Sequence, residues 1–158
     1  HERAVRSCSG IIDTFSKKQV YLGPAGAGHA TKAINNTLLA TQNWAVSEGM
    51  AVLKKNGVDL HQALEAINES SGRSWSSIQR MPDNILTRKF DYGFSIGLHR
   101  KDCEAAFSLM KTSEGTMTTP IMNQTRLMMN MAVVELGPDA DHTEVAKLVE
   151  KWNYVKLE

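Results

Sequence analysis

The sequence predicts an all-α fold, a helical bundle built around one long central helix, with a short strand remnant near its N-terminus. Three observations predict it. From about Ala30 to Asn56 there is no proline, and Ile34, Leu38, Leu39, Trp44, Val46, Met50 and Leu53 fall on nearly every face. A helix of roughly 25 residues that is apolar on most sides belongs inside a domain or between subunits. Helix start and stop signals recur downstream, at Asp59 with Gln62, Thr119-Pro120, Gly137-Pro138 and Asp141 with Glu144. Only Val20-Tyr21-Leu22, closed by Gly23-Pro24, reads as a β-type run.

The elements follow in order. Ile11, Ile12 and Phe15 are spaced for a short helix. The long helix ends at Lys54-Lys55-Asn56-Gly57, basic residues followed by a glycine stop. Asp59 caps a helix carrying Leu60, Leu64 and Ile67 on one face, which ends near Ser70-Ser71-Gly72. The small polar residues of Asn68–Ser74 read as a turn. A short helix with Trp75 and Ile78 follows and is limited by Pro82. Residues 83–97 read as irregular. A fourth helix is expected from His99 to Glu114, with Ala105, Ala106, Leu109 and Met110 as its core face. Pro120 opens the next helix, whose methionines read as adaptable packing. Val145, Leu148, Val149 and Trp152 form one stripe of a last helix.

The chain has 158 residues, enough for a real core, and a formal net charge of +1. That balance, with scattered Lys and Arg, points away from nucleic acid and membrane partners. Cys8 and Cys103 stand alone, so neither a zinc site nor a redox pair is expected, and a reducing compartment, cytoplasm or mitochondrial matrix, fits best. The first residue is His rather than Met, which reads as a fragment or a processed product.

The chemistry is expected where Gly26-Ala27-Gly28 leads into the long helix. Lys32 and Asn36 are four residues apart and share a helix face. A cation in a first helical turn opposes the helix dipole, and burial would add to this. Both effects favour the neutral amine, which can take up a proton. The glycines do not form a phosphate loop, because Gly28 is followed by His29-Ala30-Thr31 rather than Lys-Ser or Lys-Thr. They also lack the third glycine of a dinucleotide fingerprint.

The segment Leu22-Gly23-Pro24, Gly26-Ala27-Gly28 and Lys32-Ala33-Ile34-Asn35-Asn36 resembles the β-hydroxyacid dehydrogenases. That family includes 3-hydroxyisobutyrate, tartronate-semialdehyde-type and 6-phosphogluconate-type enzymes. A second segment, Phe94 with Leu98 and Lys101-Asp102, is similar to one in the same family's C-terminal domain, where Lys-Asp opens a helix. The resemblance runs from about Val20 to Trp152. Two family features, a Rossmann Gly-x-Gly-x-x-Gly loop and a Ser-Gly-Gly segment, do not occur here.

The resemblance therefore implies that residues 1–22 are the tail of a Rossmann domain and that residues 23–158 are a C-terminal helical substrate and dimerisation domain, similar to that of 6-phosphogluconate dehydrogenase. It implies an NAD- or NADP-dependent oxidation of a small β-hydroxy acid. Lys32 is then the general base, Asn36 the residue that fixes the substrate, and Lys101 a contact to the nicotinamide end of the cofactor. A homodimer or homotetramer is implied as well. The alternative is a helical dimerisation domain with no chemistry of its own.

Overall fold

The computed structural model describes residues 2–158. Six α-helices form the domain: α1 (Glu2–Ile12), α2 (Ala27–Lys55), α3 (Leu60–Asn68), α4 (Ile96–Leu109), α5 (Pro120–Leu136) and α6 (Val145–Asn153). A π-helix, Ser76–Ile85, lies between α3 and α4, and a 3-10 turn, His142–Glu144, leads into α6. A two-stranded antiparallel hairpin, β1 (Lys111–Thr112) and β2 (Gly115–Thr116), links α4 to α5.

The expected central helix is present. α2 is 29 residues long, or about 43 Å at the α-helical rise. It packs against α3, α4, α5, α6 and the π-helix. Ala33, Ala40, Trp44, Met50 and Ala51 of α2 are buried. Ala40, Trp44, Met50 and Ala51 meet Leu64, Met81, Ile85, Ile96, Met129 and Val149 in one core. Trp152 of α6 stacks on Trp44, with ring centroids 5.8 Å apart and planes 3° from parallel. α1 has no buried residue.

Local signals explain most boundaries. Asp59 accepts from the Gln62 backbone N–H at 2.9 Å and opens α3. Asp141 and Glu144 form a reciprocal capping box that opens the 3-10 turn. Pro120 is the first residue of α5, and Gly137, with φ 89°, ends it.

Four expectations need correction. Val20-Tyr21-Leu22 is not a strand, because among the described residues it pairs with no other segment to make a ladder. The short helix does not stop at Pro82 but runs through it as a π-helix. In this wider turn each N–H reaches the fifth residue back, as Leu86 N reaches Met81 O at 2.9 Å. Pro82 cannot donate to Ser77 O, and the Asn68 side-chain amide does so instead, at 3.1 Å. α4 begins at Ile96 rather than His99, capped by Ser95, whose hydroxyl accepts from Leu98 N at 3.3 Å. It ends at Leu109, well before Glu114. There the Thr112 hydroxyl donates to Gly115 O at 2.9 Å and closes the hairpin turn in place of a further helical turn.

Candidate active site

Lys32 lies near the N-terminal end of α2, on the same face as Asn36 and Leu39. These three line an open cleft of about 460 Å³ whose other wall is Tyr92, Gly93, Phe94 and Asp102. A second lobe of about 430 Å³ continues from it, sharing Asn36, Leu39 and Tyr92 and adding Gln42, Trp75 and Arg80. The loop before α4 supplies the aromatic wall. Gly93 has φ 90°, which only glycine adopts without strain, and this reversal lets Tyr92 and Phe94 face the same side. Both rings also contact His142, with centroids 5.2 and 5.4 Å away.

Asn36 is the best-held group in the cleft. Its Nδ2 donates to Asp102 Oδ2 at 2.6 Å, which fixes the amide orientation, since an ionised carboxylate only accepts. The second Nδ2 hydrogen remains for another partner. Behind it, His99 Nε2 donates to the Asn36 backbone carbonyl at 2.7 Å. His99 in turn contacts His142, the Nδ1 atoms being 3.3 Å apart. Asn43 Nδ2 lies 3.0 Å from His142 Nδ1, and the Ser76 hydroxyl donates to Asn43 Oδ1 at 2.5 Å. This buried polar chain ties α2, the π-helix, α4 and the 3-10 turn together beneath the cleft. Burial pushes the His99 pKa down, partly offset by the Asn36 carbonyl and the Asp102 charge. Burial, then His99, brings His142 to about 3, with the Arg80 guanidinium acting in the same direction. Both imidazoles are neutral at neutral pH.

Lys32 is exposed and makes no ion pair among the described residues. The dipole argument made for it does not hold. α2 starts at Ala27, with Gly26 as N-cap, so Lys32 lies in the second turn, beyond the reach of the terminal field. Lys101 is also exposed, and it does not line either lobe. It precedes Asp102 on α4, about 100° round the helix from it. The pair does not open that helix, which starts at Ile96.

Asp102, named in the sequence only as half of the Lys101-Asp102 pair, is the partner of Asn36. Arg80, Tyr92, His99 and His142 were not expected at the site as a group. Arg80 and His142 come from distant segments with no shared motif, and residues 83–97, which carry Tyr92 and Phe94, read only as irregular.

Comparisons with known proteins fall on this same region. Residues 26–149 match the family model described as NAD-binding of NADP-dependent 3-hydroxyisobutyrate dehydrogenase. The chain belongs to the β-hydroxyacid dehydrogenase family. The match contains Lys32, Asn36, Arg80, Lys101 and Asp102. Among relatives, the chain is 28% identical over 148 residues to 2-(hydroxymethyl)glutarate dehydrogenase of Eubacterium barkeri, covering 93% of this chain and 48% of that protein. Its fold is similar to that of 3-hydroxyisobutyrate dehydrogenase of Mycobacterium tuberculosis, solved with L-serine, with a TM-score of 0.82 and 23% identity. That match covers 94% of this chain and 52% of the other. It is equally similar, with a TM-score of 0.82 and 16% identity, to Psf3 in complex with NADP+ and 2-OPP, covering 94% of this chain and 51% of that one. The chain thus spans about half the length of the family members it matches. Among the described residues no helix is long and apolar enough to cross a membrane.

Proposed function

We propose that this chain is the C-terminal catalytic half of an NAD(P)-dependent oxidoreductase that oxidises a short β-hydroxy acid, 3-hydroxyisobutyrate-like, to its semialdehyde or keto acid. Residues 23–158 are then the helical substrate domain and residues 1–22 the tail of a preceding Rossmann domain. The observation that carries the reading is the pairing of Lys32, a cation with no ion pair among the described residues, with Asn36, an amide held by Asp102, on one face of α2. The exposure of Ile11, Phe15, Val20, Tyr21 and Leu22 supports a covering neighbour for the first segment.

Lys32 takes the proton of the substrate hydroxyl in the oxidation and returns it in the reduction. Covering the open cleft would strip water from its ammonium and favour the neutral amine that this step needs. Asn36 donates its second amide hydrogen to the hydroxyl or carboxylate and fixes the pose. The cleft suits the nicotinamide end of NAD or NADP, with Leu39 and Phe94 offering apolar surface for a flat ring and Lys101 a cation on the adjoining helix. When bound, the cofactor supplies the hydride acceptor. Leu38 and Val52 leave an apolar edge of α2 exposed, and Ile121 and Val134 do the same on α5. These edges support the homodimer or homotetramer.

The test is Lys32→Ala in the complete protein, assayed on a panel of short β-hydroxy acids with NAD and with NADP. A loss of about 10²–10⁴ in kcat with an unchanged circular dichroism spectrum supports the general base. An unchanged rate makes Lys32 structural and leaves the chain as a helical dimerisation domain.

A further inference from the structure

Arg80 is the most unusual charge in the molecule. Its residue surface is only 4% exposed, yet it lines the second lobe of the cleft. A buried guanidinium ordinarily faces a carboxylate, because desolvating an unpaired charge is costly. Among the described residues Arg80 has no ion pair. Its Nε has no hydrogen-bond partner, and its single protein bond is a long one, from Nη1 to Gln79 Oε1 at 3.4 Å. The nearby carboxylates are occupied elsewhere. Asp91 accepts from Asn84, and Asp141 accepts from Gly93 and Thr143.

What holds Arg80 is the Tyr92 ring, whose centroid lies 3.3 Å from the guanidinium carbon. Stacking on one face leaves the in-plane N–H groups free, and these are the groups that grip a carboxylate in bidentate fashion. Gln42 and Asn35 line the same lobe and bring further amide donors. The lobe therefore has the donor set of an anion site.

We propose that the Arg80 lobe seats a second anionic group of the substrate, a carboxylate on a tail that runs from the reacting carbon past Asn36 and Leu39. The preferred substrate is then a dicarboxylic β-hydroxy acid. This rests on the reading of the adjoining lobe, with Lys32 and Asn36, as the hydroxy-acid site.

The test compares glutarate with pentanoate, equal in carbon number, by isothermal titration calorimetry on the complete protein, wild type and Arg80→Gln. The expected result is that wild type binds glutarate about 10- to 100-fold more tightly than pentanoate and that Arg80→Gln abolishes the difference. The KM for NAD(P) stays unchanged. Equal binding of the two acids by wild type overturns the proposal, as does a preference that survives in Arg80→Gln. A change confined to the KM for NAD(P) also overturns it, because the guanidinium would then serve a cofactor phosphate. If circular dichroism shows that Arg80→Gln does not fold, Arg80→Lys carries the comparison. It keeps the charge but not the planar fork, so most of the preference should be lost, and full retention overturns the proposal. The binding readout is independent of turnover. A wild type that oxidises no hydroxy acid defeats the proposed function, whereas a wild type that turns over hydroxy acids but binds glutarate and pentanoate equally defeats the lobe assignment alone.

Discussion

Asn36 and Asp102 lie 66 positions apart and meet at 2.6 Å, joining the first third of α2 to the middle of α4 through one charge-assisted hydrogen bond. Asp102 lines the cleft and holds the Asn36 amide beside it. Asp102→Ala in the complete protein should lower kcat/KM by about 10- to 100-fold through misplacement of Asn36. The cost in stability should be only about 1 kcal/mol, since both groups are partly solvated. Asp102→Asn still accepts the bond and should restore most of the activity. Steady-state kinetics paired with urea unfolding separates the two effects.

The buried histidines make stability depend on pH. In the folded chain both are neutral, His142 with a pKa of about 3, while the unfolded chain takes up protons near 6.5. Below that value the unfolded state binds more protons, so the stabilisation is complete above about pH 6.5 and is lost as pH falls, for His142 toward its folded value of about 3. His142 contributes a slope approaching about 1.4 kcal/mol per pH unit in that window, and His99 adds to it in the same direction. Urea unfolding at pH 7.5, 6 and 5 should show the fall. His142→Gln, neutral throughout, should show a shallower one.

Gly97 holds the aromatic wall in place by close approach. Its N–H donates to Pro138 O at 2.8 Å, and a Cβ at this position would lie 2.9 Å from that same oxygen and 3.1 Å from Pro138 Cβ. The neighbouring bonds Ile96 N to Ala140 O and His142 N to Phe94 O are each 2.8 Å, so the contact cannot yield locally. Gly97→Ala should cost about 1–3 kcal/mol, in the manner of an overpacked core. At roughly 2–4 °C per kcal/mol the melting temperature should fall by several degrees, as calorimetry can measure.

The two thiols should differ sharply. Cys103 is 1% exposed, and burial pushes its pKa up to about 11, whereas Cys8 is exposed on α1. Alkylation with iodoacetamide at pH 8 should leave the Cys103 peptide unmodified until the protein is unfolded. Peptide mapping by mass spectrometry reads this directly. Fast labelling of Cys103 in the native protein would show that α4 is not packed on α2 as described.

The sequence revealed what adjacent residues decide. The length of α2, the shared face of Lys32 and Asn36, the Asp59 and Asp141 caps, and the Pro120 and Gly137 boundaries all follow from local spacing, and the structure has them. It did not reveal what distant residues decide. Pro82 reads as a helix stop unless Asn68 is known to satisfy the carbonyl it abandons. Val20-Tyr21-Leu22 reads as a strand, but a strand exists only with a partner. Asp102 looks like a helix-terminal acid until α4 is seen to begin six residues earlier. Arg80 carries no local mark at all, since its position depends on the width of the π-turn and on the Tyr92 ring.

That widened turn has a consequence of phase. The ten residues Ser76–Ile85 wind with more residues per turn than an α-helix, so the bearing of Arg80 is set by the number of residues before it as well as by its identity. Deleting one residue ahead of Arg80 would let the segment relax toward α-helical winding and swing the side chain by about 100°, away from the cleft. Two family members could then share every cleft-lining side chain and still differ in the charge of the molecule they accept. If the Arg80 lobe seats an anion as proposed, the ability to tell one acid from another is gained or lost by a change in register, with no exchange of residue types.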